Sequence, residues 1–445
     1  MTVPAVCAAK LANWVWRAYH ARPTNLSPDH ELSQHQQQIL ATLAKTWGDK
    51  SWSLPRSASN YNFLTTSDFE WSESPAELVD WQPAEDLSLP ESAPTGRLLV
   101  VNGKFCPELS TLPKLPDGVI IDSLASAIVN HPRLVMPYLL KQNFAQQPLL
   151  AINSLLASDG LFIYLPVASK ILPPIHLVIM VNSKKPQPLI QSHNLIILAQ
   201  HAQLSCITEY VAVNGTDNYF NNVVVDVALA ANSVFNCYNL ANTAPNARHC
   251  VATFIDQGQD SVANIYNASF GGKWSVNNFN IMLRESAAKC QLKGCYGVYN
   301  SGQQNLNSII VDHAAVKTQS MLKFNGVIAH DAHASFAAKV LVQAGAAQAC
   351  AKQENHNILL HKLATITSKP ELEIYAEDVS CRHGATVGQL DAEALFYLQA
   401  RGISASTARW LLLEAFIAST MDTLDSPYLQ FKIQQCWAES IASLL

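Results

Sequence analysis

Four segments decide the fold: residues 197–206 (ILAQHAQLSC), 227–236 (VALAANSVFN), 255–264 (IDQGQDSVAN) and 283–292 (LRESAAKCQL). Each passes from aliphatic residues through a short small or polar stretch and back again. Laid over one another, they put Leu204, Val234, Val262 and Cys290 in one column, spaced 30, 28 and 28 residues apart. A repeat of that size made of short strands describes units that bury their apolar side chains on the units above and below. Such an interior is long, thin and intolerant of charge, and only 14% of the chain is charged. The segments therefore point to a parallel β-helix. A β-sandwich is the rival, but it calls for more hairpin signals and a stronger polar alternation on its outer faces.

The repeat sits in a zone from about Arg97 to Ile366. Aliphatic runs of strand length recur there, at 98–101, 177–181, 195–198, 223–227 and 309–311, and helical heptads are missing. Residues 201–310 hold 17 Asn. Asn tolerates left-handed backbone, so these residues are expected to stack at the turns. The flanks read differently. Six of the nine Trp lie in residues 1–81 and two at or beyond Trp410, with only Trp274 between. Leu11, Trp14, Val15 and Ala18 mark one face of a helix over 4–21. Ser27-Pro28-Asp29 opens a second over 28–47, with Ile39, Leu43 and Trp47 on one side. Residues 50–95, rich in Ser, Pro and acids, read as irregular connection.

At the other end, Asp391 caps a helix that stops at Gly402, and Ser404 or Ser406 caps the next. A third follows Pro427, with Leu429, Ile433, Trp437, Ile441 and Leu444 as its stripe. The expected organisation is a helical region and connection over 1–95, a β-helix over 96–370, and a last strand with a helical domain over 371–445.

Composition excludes several functions. The net charge of −5, from 29 basic and 34 acidic residues, argues against nucleic acid or an anionic membrane as partner. No apolar run reaches the roughly 18 residues a membrane helix needs. The first 22 residues do not read as a secretory signal. Ten Cys in 445 residues are too sparse for a disulfide scaffold, which suits free thiols and a cytoplasmic protein. The chain has no phosphate-binding loop, dinucleotide turn, H-E-x-x-H or C-x-x-C.

Three groups of metal-capable residues remain. Cys290 and Cys295 in CQLKGC are half a metal site or buried small hydrophobes, and the second is favoured because no matching pair exists. Cys206, Cys237, Cys250 and Cys350 read the same way. His330 and His333 in AHDAHASF are ligands or residues of a polar turn. Cys381 and His383 stand two apart after a strand through Leu372, Ile374 and Val379, so on extended chain they share a face.

The segment KPELEIYAEDVSCRHGATVGQLDAEALFYLQARGIS, with FNGVIAHDAHASFAAK and QENHNILLHKLATITS upstream and LLVVNGKF more faintly, resembles the SufB/SufD family. These are scaffold proteins of the SUF iron–sulfur cluster assembly system. His-Gly-Ala-Thr-Val-Gly at 383–388 is closer to the SufD branch, because the SufB branch has an acid where Gly384 stands. The N-terminal cysteine region of the SufB branch is also missing. The resemblance implies a right-handed parallel β-helix between helical domains, and a subunit that is not an enzyme. It implies pairing with SufB through the β-helix ends, at Glu373, Tyr375 and Val379. It also implies binding of the ATPase SufC through the C-terminal helices, at Phe396, Tyr397 and Arg401, and a possible homodimer when isolated. A transient cluster shared with SufB would take His383 as a ligand and, less strongly, Cys381. Reduced flavin belongs to some such complexes, and no motif places it here. One departure is PRSASNYNFLTT at 55–66, with Tyr61 where the family has Trp. The weaker alternatives are a SufB-type scaffold that itself accepts sulfur, and a β-helix carbohydrate-active enzyme.

Overall fold

The computed structural model describes residues 31–48, 70–71, 96–112, 114–139, 148–183, 187–213, 217–422, 424 and 426–441. The expected helix over 4–21, the Ser27 cap, most of the 50–95 connection and the 55–66 segment lie outside them.

The repeat is a parallel β-solenoid. Successive strands alternate between two ten-stranded sheets, so each coil lays one strand on each. In one sheet Gln203, Val234, Val262, Lys289, Gln319, Cys350 and Ser380 are successive register partners, 27 to 31 residues apart. The expected column of Leu204, Val234, Val262 and Cys290 is thus one residue out of register at both ends. Since a one-residue slip turns a side chain to the other face, the difference shows in burial. The true inward column is Leu204, Phe235, Ala263 and Cys290, all buried, whereas Val234 is half-buried.

The corner explains the slip. His201, Asn232, Asp260, Ala287, Lys317 and Gln348 take φ of 54° to 61°. Each donates its N–H to a carbonyl one coil on, at 2.8–3.0 Å. This ladder offsets the cost of left-handed backbone, so residues as unlike as Ala287 and Lys317 are tolerated. Most Asn side chains are therefore not at corners. They pair between strands, as in Asn264 Nδ2 to Asn236 Oδ1 (2.9 Å) and Asn277 Nδ2 to Asn307 Oδ1 (3.1 Å).

Helix α1 (Glu31–Gly48) matches the expected 28–47. Three helices that the sequence reading missed, α2 (Leu124–Asn130), α3 (Pro132–Leu139) and α4 (Pro148–Leu156), interrupt the start of the solenoid. Their short apolar runs carry no period that separates helix from strand. Ile39 of α1 and Leu149, Leu150 and Ile152 of α4 pack on Leu189, Phe220 and Trp274 outside one sheet. Within the expected irregular connection, Glu70–Trp71 is a strand paired with Pro188 and Leu189.

The strand Thr365–Ile374 runs through position 370, and the last coil closes with Ser380–Gly388. Helices α5 (Ala392–Ala400), α6 (Ala405–Ala418) and α7 (Pro427–Ile441) follow. Asp391 caps α5 by accepting from the N–H groups of Glu393 and Ala394, and Ser404 caps α6. Leu429, Ile433, Trp437 and Ile441 are buried against Tyr266, Ala268 and Phe270 on the outside of the second sheet. Burial of each contributes roughly 1.5–3 kcal/mol. Leu444 lies outside the described residues.

Candidate functional site

The site is the open end of the solenoid. Cys381 extends the inward column of Cys290, Ser320 and Ala351, and His383 extends that of Leu292, Leu322 and Gln353. Earlier coils are each covered by the next. Nothing described covers the last one, so positions that would be core stand at the surface. His383 is exposed, as are Ile374, Tyr375 (65%) and Val387 (51%). Pro370 fits in Thr365–Ile374 because that strand is a sheet edge.

His383 Nδ1 lies 3.2 Å from the Pro370 carbonyl oxygen. A carbonyl only accepts, so Nδ1 carries the proton and donates. In the neutral ring this leaves the lone pair on Nε2, the arrangement a metal-ligating histidine uses. Cys381 is half-buried against the lumen core. Burial pushes its thiol up, which disfavours the thiolate that a metal or persulfide chemistry needs. Among the described residues no three His, Cys, Asp or Glu gather to hold a metal ion. His383 and Cys381 are at most part of a ligand set.

The expected strand through Val379 is broken. Asp378 takes φ 54° in a turn, and Val379 sits at its end, packed against the core. Glu373 is engaged by Lys339 at 2.7 Å. On α5, Phe396 (72%) and Tyr397 (57%) are exposed, so Phe396 is not core. Arg401 donates to Tyr397 Oη at 2.8 Å and lies over its ring.

The other metal-capable residues separate. Cys290 points into the lumen and Cys295 points out beneath the C-terminal helices, as an odd spacing on a strand requires. Burial raises both thiols to about 12. They act as small hydrophobes and share no metal. Cys206 and Cys250 are buried and Cys237 half-buried, but Cys350 is exposed, against expectation. His330 occupies a turn with φ 51°, and His333 pairs with Thr365 Oγ1 at 2.9 Å.

Sequence reasoning missed a polar layer beneath the site. Tyr296, Asn355, Asn357 and Ser368 face the lumen and are linked to one another by hydrogen bonds, and Gln353 lies in the same layer with its own bond to the Glu371 carbonyl. The signal was present as alternation: Gln353, Asn355 and Asn357 are every second residue of a strand.

Residues 179–416 match the family model for the SUF system FeS cluster assembly SufBD core domain, and 91–177 match the SufBD protein N-terminal region. The chain belongs to the SufB/SufD family. It is 30% identical over 366 residues to a SufBD-family iron–sulfur cluster assembly protein of Synechocystis, covering 80% of each chain. It is 25% identical to the iron–sulfur cluster assembly protein SufD of Escherichia coli over 91% of each chain. With SufD of Bacillus subtilis it shares 24% identity, over 82% of this chain and 84% of that one. Against this family background, the open coil carrying His383 and the aromatic face of α5 are the two surfaces that need explaining.

Proposed function

We propose that this chain is a SufD-type subunit with no catalytic chemistry of its own, and that it works with a SufB-type scaffold and a SufC-type ATPase to build iron–sulfur clusters. The observation that carries this reading is the exposed last coil, with His383 tied at Nδ1 and open at Nε2. An uncovered β edge bearing Tyr375, Ile374 and Val387 favours strand-by-strand docking of another β-solenoid. The neutral imidazole suits iron, and a subunit boundary lets the partner supply the remaining ligands. The iron and sulfur are cargo. Phe396, Tyr397 and Arg401 on α5 have the chemistry of interface anchors and are assigned to the ATPase. A cytoplasmic location fits this role.

The test is a His383→Ala variant co-produced with SufB- and SufC-type partners. The complex should assemble and hydrolyse ATP at near wild-type rate, while cluster build-up falls. If the complex comes apart, His383 holds the interface instead. If clusters form normally, His383 is no ligand. In parallel, deleting residues 391–445 should abolish ATPase-subunit binding and leave the SufB-type contact intact.

A further inference from the structure

Beneath His383 lies Gln353, its register partner one coil back. Its side chain is 1% exposed. Gln353 Nε2 donates to the Glu371 carbonyl at 3.0 Å, while His383 Nδ1 donates to the Pro370 carbonyl at 3.2 Å. Two side chains from one sheet thus cross the lumen to consecutive carbonyls of the facing strand, Thr365–Ile374. That strand is at a sheet edge, with no following coil to hold it in place. Gln353 Oε1 is buried without a partner. The amide cannot flip to satisfy it, because Glu371 O only accepts. Natural cores rarely keep such an orphan. An apolar residue of similar size, like Leu322 and Leu292 in the same column, would avoid it. The one bond that the amide does make falls on the strand that orients His383.

We propose that Gln353 is a positioning residue for His383. It fixes the Glu371–Pro370 backbone so that the Pro370 carbonyl holds the Nδ1 proton and Nε2 stays unprotonated toward the open end. Its use rests on the reading of His383 as a cluster ligand; its geometry does not. Ser368 is the natural control. Its Oγ donates to Asn355 Oδ1 at 2.7 Å, off the path to Pro370.

The experiment is a long-range proton–nitrogen spectrum of the isolated full-length chain labelled with ¹⁵N, at a pH where histidine is neutral. The His383 signals are identified by their loss in His383→Gln. The wild type should show one tautomer, protonated at Nδ1. In Gln353→Leu the Nε2-protonated form should rise by about fivefold, the factor that one net hydrogen bond is worth. In Ser368→Ala it should not change. If Gln353→Leu fails to fold, Gln353→Met, which keeps the length and loses the donor, is read the same way. A folded Gln353 variant with the wild-type His383 spectrum overturns the proposal. If instead the tautomer shifts but His383→Ala still builds clusters in the complex, the positioning holds and the ligand reading fails.

Discussion

Leu322 and His383 stand in the same column, two coils apart, and meet opposite fates. Leu322 is fully buried, closed over by Gln353 of the next coil, whereas His383 has no coil above it. The backbone, the pairing and the direction of the side chain are the same. What differs is only whether the stack continues. A solenoid thus turns core positions into site positions at no cost in new architecture, by stopping. The sequence anticipates the stop: the column is apolar at Leu292 and Leu322 and polar at Gln353 and His383. The polar change comes one coil before the surface, so the exposed histidine rests on a hydrogen-bonded floor.

If that contrast is right, the largest effect of mutation falls in the closed coils. Phe336 is fully buried, with its ring 5.4 Å from Phe324. Phe336→Ala should cost about 3–5 kcal/mol in denaturant unfolding. Val387→Ala, on the last coil, should cost under about 0.5 kcal/mol. Equal losses would break the comparison.

Acid should act next. His249 and His313 are buried in closed coils, and burial lowers each from 6.5 to about 4. Between those values the unfolded chain binds more protons than the folded one. Their contribution is therefore complete above pH 6.5 and drains away as pH falls toward 4. The slope for each approaches about 1.4 kcal/mol per pH unit. His249→Gln should flatten part of that slope in a stability–pH series, and an unchanged slope would contradict it.

The polar floor should matter less. Tyr296 Oη donates to Asn357 Oδ1 at 2.5 Å and accepts from Asn355 Nδ2 at 3.1 Å, both buried. Tyr296→Phe should cost about 1–3 kcal/mol, by equilibrium unfolding, because both amides lose a partner. Smaller again than the Tyr296 change, Asp391→Ala removes the α5 cap and should cost about 0.5–2 kcal/mol locally. It should be visible as faster amide exchange in α5 rather than as a lower melting temperature.

Much of this was legible in the sequence, and the failures have physical causes. The coil length could be read because charge is excluded and apolar runs return at a steady interval. The register could not, because the corner ladder accepts His, Asn, Asp, Ala, Lys or Gln at the left-handed position and leaves no glycine mark. Helices α2 to α4 were lost because runs such as 134–139 and 149–156 suit either structure. His383 was visible through a long motif and an even spacing from Cys381. Gln353 was legible only as one of three alternating amides with Asn355 and Asn357; its tie to the strand beside His383 was not, because that shows only in the strand it crosses to.

The central claim is that the last coil is a docking surface. Hydrogen–deuterium exchange of this chain, alone and with a SufB-type subunit, tests it most directly. Strands Thr365–Ile374 and Ser380–Gly388 should exchange faster than the buried strands Gln319–Ile328 and His333–Val342 in the free chain. On binding they should gain the largest protection in the molecule. Protection that falls elsewhere, with the two terminal strands unchanged in a formed complex, would contradict the account.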